Sequence, residues 1–85
     1  MTKYRKDFET LENKLKETIK HIQEEHAEDE QTSIILAFEV IEKFLEREGF
    51  LKSEIYKEMF KDLEEIYIYN PVNTYKVYRK YGVCN

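Results

Sequence analysis

Apolar residues recur along the first third of the chain at steps of four, three, four, four and three: Tyr4, Phe8, Leu11, Leu15, Ile19 and Ile22. That spacing keeps them on one side of a 3.6-residue helix and predicts a first helix over residues 3–26. The intervening positions are mostly Lys, Glu, Asn and Gln, and Glu12 with Lys16 has the i, i+4 order worth about 0.2–0.5 kcal/mol on a solvated face. Residues 34–45 are patterned differently. Nine of the twelve are apolar, and the exceptions, Glu39, Glu42 and Lys43, fall on one narrow stripe. A surface helix needs an apolar arc only somewhat wider than about 100°. A helix this poor in polar surface is predicted to be the central element, covered from several sides, or one half of a seam between two copies. Ile34, Ile35, Phe38, Ile41 and Leu45 are its candidate core or seam positions.

The boundaries carry their own chemistry. Residues 24–31 hold five acids and no large apolar side chain, which reads as a fraying helix end plus a connection. Thr32 or Ser33 then offers an oxygen to the orphan N–H groups opening the central helix. Gly49 suits the left-handed position that ends it, leaving Phe50 to fold back onto Leu45. Ser53 is the next N-cap, with Glu54 favourably placed in the first turn. The third stripe reads Ile55, Met59, Leu63 and Ile66, with Tyr56, Phe60 and Tyr67 beside it, and should stop before Pro71. Asn70-Pro71 resembles an N-cap followed by proline at N1, with Gly82 as the closing glycine, so a short fourth helix is expected. The alternative is a β-hairpin, because residues 66–69 and 74–78 are rich in β-branched and aromatic side chains joined by Asn-Pro-Val-Asn. With no repeat, low-complexity tract or linker, the expectation is one domain over residues 1–85: all-α, a small antiparallel bundle of three long helices plus a short C-terminal one.

Composition narrows the class. Charged residues make up 38% of the chain and apolar ones 41%, with two Gly and one Pro, as in a helix-rich folded protein. At 85 residues a single core is near the size where it becomes marginal, which raises the prior for association and admits a homodimer. No run approaches the roughly 18 apolar residues that span a bilayer, and residues 1–6 lead into polar sequence rather than a signal-type stretch. A lone Cys84 excludes an internal disulfide framework. The reading is a cytoplasmic protein without a membrane partner.

Catalytic chemistry is hard to assemble from these residues. His21 and His26 diverge by more than a quarter turn on a helix, Ser33 and Ser53 have capping roles, and the two glycines are isolated, so no nucleophile set, metal cage or phosphate loop is expected. The paired carboxylates are too numerous for any one pair to stand out. The chain is read as not an enzyme, with no cofactor.

Charge and tyrosine are unevenly placed. Residues 21–48 carry nine acids and two bases, residues 71–85 carry three bases and no acid, and five of the seven tyrosines lie in residues 67–81. Tyrosine with arginine is the mixture favoured where proteins bind proteins. Tyr69, Tyr75, Tyr78, Arg79 and Tyr81 are therefore candidate partner contacts, with Glu24, Glu25, Glu28, Asp29 and Glu30 as an electrostatic second patch. The plainer reading, equally weighted, is that Tyr67, Tyr75 and Tyr78 complete a small core with their hydroxyls in water. A single-stranded nucleic acid is the less favoured partner, because Lys76, Arg79 and Lys80 make few phosphate contacts.

The run Ile66-Tyr67-Ile68-Tyr69-Asn70-Pro71 and the following Val72-Asn73-Thr74-Tyr75-Lys76-Val77-Tyr78-Arg79 resemble two segments of the colicin DNase immunity proteins, acidic four-helix nuclease inhibitors. The resemblance covers about a fifth of the chain, lacks the acidic loop between the segments and has a much longer third helix. It assigns no family and serves as an analogy for how an acidic helical domain blocks a basic enzyme. The functional expectation is a small interaction protein of the phage, plasmid or accessory-locus type that inhibits or regulates a protein target.

Overall fold

The computed structural model describes residues 4–26, 29–69 and 74–83, which are helical or in turns with no strand among them. Helix α1 spans Arg5–His26 and α2 spans Glu30–Arg47. A 3-10 turn, Phe50–Lys52, leads into α3, Glu54–Glu64, whose end widens into a π-helical turn over Glu65–Tyr69; α4 spans Thr74–Lys80. The segments that raised the hairpin alternative are thus helical where described. The expected Asn70-Pro71 cap, Lys3 and Cys84 lie outside the described residues.

The α2 start differs from the expected Thr32 or Ser33 cap. Asp29 is the N-cap, its carboxylate accepting from the Thr32 backbone N–H at 2.7 Å. A carboxylate there answers both an orphan donor and the positive end of the helix dipole, and that N–H holds its pKa below the usual range. Ser33 is instead fully buried, its hydroxyl without a hydrogen-bond partner. With Ala37, also fully buried, it keeps one side of α2 small where α1 makes the most extensive helix pairing in the molecule.

Gly49 ends α2 at φ 79°, its N–H bonding the Glu46 carbonyl at 3.1 Å. The Phe50 ring stacks on Tyr56 at 4.9 Å and lies beside Phe44. Ser53 occupies the α3 N-cap with extended backbone, yet its hydroxyl makes no capping bond. Gly82 closes α4 at φ 71°, with Gly82 N–H on the Arg79 carbonyl and Val83 N–H on the Tyr78 carbonyl, the paired bonds of a Schellman motif.

The core joins Phe8 and Leu15 of α1, Ile41 and Leu45 of α2, and Met59 and Leu63 of α3, all essentially solvent-free. Phe38 is edge-on to Phe60 at 5.5 Å, and Lys14 lays its ammonium over Phe44 at 4.5 Å. Four of the five expected core or seam positions on α2 are buried; Ile35 is the exception and is exposed, as is Val40. The central helix is therefore covered on two sides rather than all round. No helix among the described residues is long and apolar enough to cross a membrane.

Candidate functional site

The tyrosine-rich C-terminal segment divides into an inner and an outer side. On the inner side α4 buries Val77, and the following Tyr81 is only 2% exposed, its ring stacked on Phe8 with centroids 4.3 Å apart. The Tyr81 hydroxyl donates to Asp62 at 2.6 Å, and Lys80 reaches Asp62 at 3.0 Å and Glu58 at 2.6 Å. Burial of the Lys80 ammonium pulls its pKa down, but the bonds to Glu58 and Asp62 outweigh that and raise it. Tyr81 is thus a core ring tied to α3, not an outward contact as the sequence suggested.

Tyr78 is half-buried and edge-on to Phe8, and its hydroxyl donates to Glu12 of α1. Tyr67, delivered by the π turn, donates to the same Glu12 oxygen at 2.9 Å. Tyr67 and Tyr78 are the ordered interior tyrosines of the plainer reading, except that their hydroxyls meet a carboxylate rather than water. Burial and the adjacent Glu12 charge push both phenols up, Tyr78 to about 12 and Tyr67 further. Glu12 itself is 6% exposed, so its expected role on a solvated face beside Lys16 is corrected: it is the acceptor on which α1, the π turn and α4 converge. Tyr56 repeats the device between α3 and α1, raised by burial first and then by the charge of Asp7 and its bond to it.

The outer side is what remains. Tyr75 is 60% exposed, Arg79 stands one turn along the same face of α4, and Lys76 is exposed beside them. Tyr69, at the end of the π turn, is 70% exposed. Of the acidic candidates, Glu24 and Glu25 are exposed near the end of α1, and Asp29 and Glu30 are exposed where α2 begins; Glu28 lies outside the described residues.

Two features escaped the sequence. One is the Glu12 cluster: at i+4 from Phe8 and i−3 from Leu15 the spacing sets Glu12 on the apolar stripe, and only its charge made it read as solvated. The other is an open groove of about 540 Å³ between α2 and α3, lined by Leu51 and Phe60 together with Glu42, Glu54, Glu58, Glu64 and the lysines Lys57 and Lys61. Burial and then the facing Glu42 raise the Glu64 pKa. His21 and His26 are exposed, and among the described residues no three His, Cys, Asp or Glu side chains are grouped to hold a metal ion.

No family model, curated protein or solved structure matches this chain.

Proposed function

We propose that the chain is a small, non-enzymatic interaction protein of the cytoplasm, packed as an antiparallel helical bundle, that binds and inhibits or regulates a protein target in the manner of phage, plasmid or accessory-locus proteins. The observation that carries this reading is the two-sided construction of α4. Its inner side is tied to Glu12, Glu58 and Asp62, while its outer side presents Tyr75 and Arg79, with Tyr69 exposed nearby. Rigid aromatic and guanidinium groups held by a docked helix lose little entropy on binding and are the residue types that dominate interface energies. The exposed acids Glu24, Glu25, Asp29 and Glu30 supply a field that attracts a basic partner.

The same geometry weakens the nucleic-acid alternative. Lys80 is engaged by two carboxylates, and the Tyr78 and Tyr81 rings are packed edge-on or stacked inside, leaving Lys76 and Arg79 as the basic groups on that face. Two phosphate contacts give little affinity at physiological salt.

The test is capture of binding proteins from the source cells on the native chain and on a Tyr75→Ala, Arg79→Ala chain of equal helicity, alongside titration with labelled single-stranded RNA at two salt concentrations. The expected result is a protein retained by the native chain and weakened about 30-fold or more by the double substitution. Equal retention by both chains contradicts the reading. RNA binding that falls steeply with salt and disappears on Lys76→Ala plus Arg79→Ala replaces it with the alternative.

A further inference from the structure

We propose that the open flank of α2 is the seam of a two-fold homodimer in which the α2 helices of two copies run antiparallel. The flank is an open groove of about 350 Å³ lined by Ile22 and His26 of α1 and by Leu36, Glu39, Val40 and Lys43 of α2. Val40 is 50% exposed and Leu36, one turn earlier, is half-buried, so an apolar ridge stands in solvent at the middle of the helix.

The charges beside that ridge select the occupant. Glu39 and Lys43 lie one turn apart along a single edge of it, and neither takes part in an ion pair among the described residues. When two helices pack antiparallel about a two-fold axis, each edge meets the same edge of the other copy. An axis crossing α2 near residues 40–41 therefore sets Val40 against the partner's Val40. It sets Glu39 against the partner's Lys43 and Lys43 against the partner's Glu39. The surface is self-complementary in charge, as an isologous interface requires. A parallel arrangement fails, because it brings this charged edge against the opposite edge of α2, which α1 already covers. The seam is independent of the target-binding face: α4 is tied to Glu12 near the start of α1, whereas the groove uses Ile22 and His26 at its end.

Two or three apolar side chains per copy make a weak dimer, with Kd about 10–100 µM. Sedimentation equilibrium of the full chain from about 5 to about 500 µM reads it directly. The expected average mass rises from the 10.4 kDa of one chain toward twice that value. Val40→Glu, whose side chain is half in solvent and so leaves helicity unchanged, weakens association at least about tenfold. Glu39→Lys and Lys43→Glu each weaken it, and an equimolar mixture of those two variants recovers association, since the reversed edges are complementary to each other. A mass that stays at one chain throughout overturns the proposal. So does a mixture that associates no better than either variant alone, or association that survives Val40→Glu but is lost on Tyr75→Ala, which moves the seam to α4.

Discussion

The α1–α2 pair and the attachment of α4 are held by different chemistry. Between α1 and α2 the contact is apolar and close: the buried Leu11, Leu15 and Ile22 of α1 share one core with Ile34, Phe38 and Ile41 of α2, where Ser33 and Ala37 are small and fully buried. Helix α4 has seven residues, and besides Val77 and the Tyr78 and Tyr81 rings set against Phe8 its fixings are phenol hydroxyls on carboxylates and a lysine between two acids. A helix that short is unstable alone, so these fixings decide whether it is present at all. One region depends on volume and shape alone, the other on matched donors and acceptors as well, and substitutions separate them.

The largest effect belongs to the apolar region. Ile41→Ala leaves a cavity at a 1% exposed position and is expected to cost about 3 kcal/mol in chemical denaturation. A loss below about 1 kcal/mol would mean the central helix is less enclosed than the packing indicates.

The acceptor region comes next. Glu12→Leu leaves two phenols without a partner and should cost about 2 kcal/mol, while Tyr67→Phe or Tyr78→Phe alone should cost about 1 kcal/mol each. Combining Glu12→Leu with both phenylalanine substitutions removes every orphaned group and is expected to recover most of the loss. Strict additivity in that set would deny that the three residues act together.

Alkali tests the phenol–carboxylate contacts without mutation. The folded pKa values of Tyr67, Tyr78 and Tyr81 stand above that of an unfolded tyrosine, near 10, so the folded state holds its phenolic protons longer. Their stabilisation is complete below about pH 10 and declines as pH rises above it, the Tyr78 share being lost as pH passes about 12. A melting temperature flat from pH 9 to about 12 contradicts this. The smallest effect is Ser33→Ala, which removes an unpartnered buried hydroxyl and raises helix propensity; a gain of about 0.5 kcal/mol is expected by thermal melting.

This contrast also explains what the sequence disclosed. The three stripes and both helix-ending glycines follow from spacing and backbone sterics, which are local, and they stand as read at Phe8, Leu15, Ile41, Met59, Gly49 and Gly82. The cap at Asp29 was hidden because it sits among other acids, where one carboxylate looks like the next. The π turn was hidden because residues 66–69 carry β-branched and aromatic side chains that suit a strand as well as a wide helical turn. Glu12 and Tyr81 were misplaced, and Tyr78 left between two readings, for a shared reason: a glutamate and a tyrosine each resemble surface residues until the fold pairs Tyr78 with Glu12 over 66 positions of chain and Tyr81 with Asp62 over 19. Within the candidate surface, Tyr75 and Arg79 face outward as read, while Tyr81 does not.

The most direct measurement is amide hydrogen exchange, residue by residue, on the native chain and on Glu12→Gln. If α4 is held by its carboxylate fixings apart from the apolar pair, its amides near Tyr78–Tyr81 should exchange about tenfold faster or more in the variant, while those of α2 around Ile41 keep their protection. A uniform change across α2 and α4, or none in α4, would contradict that division of labour.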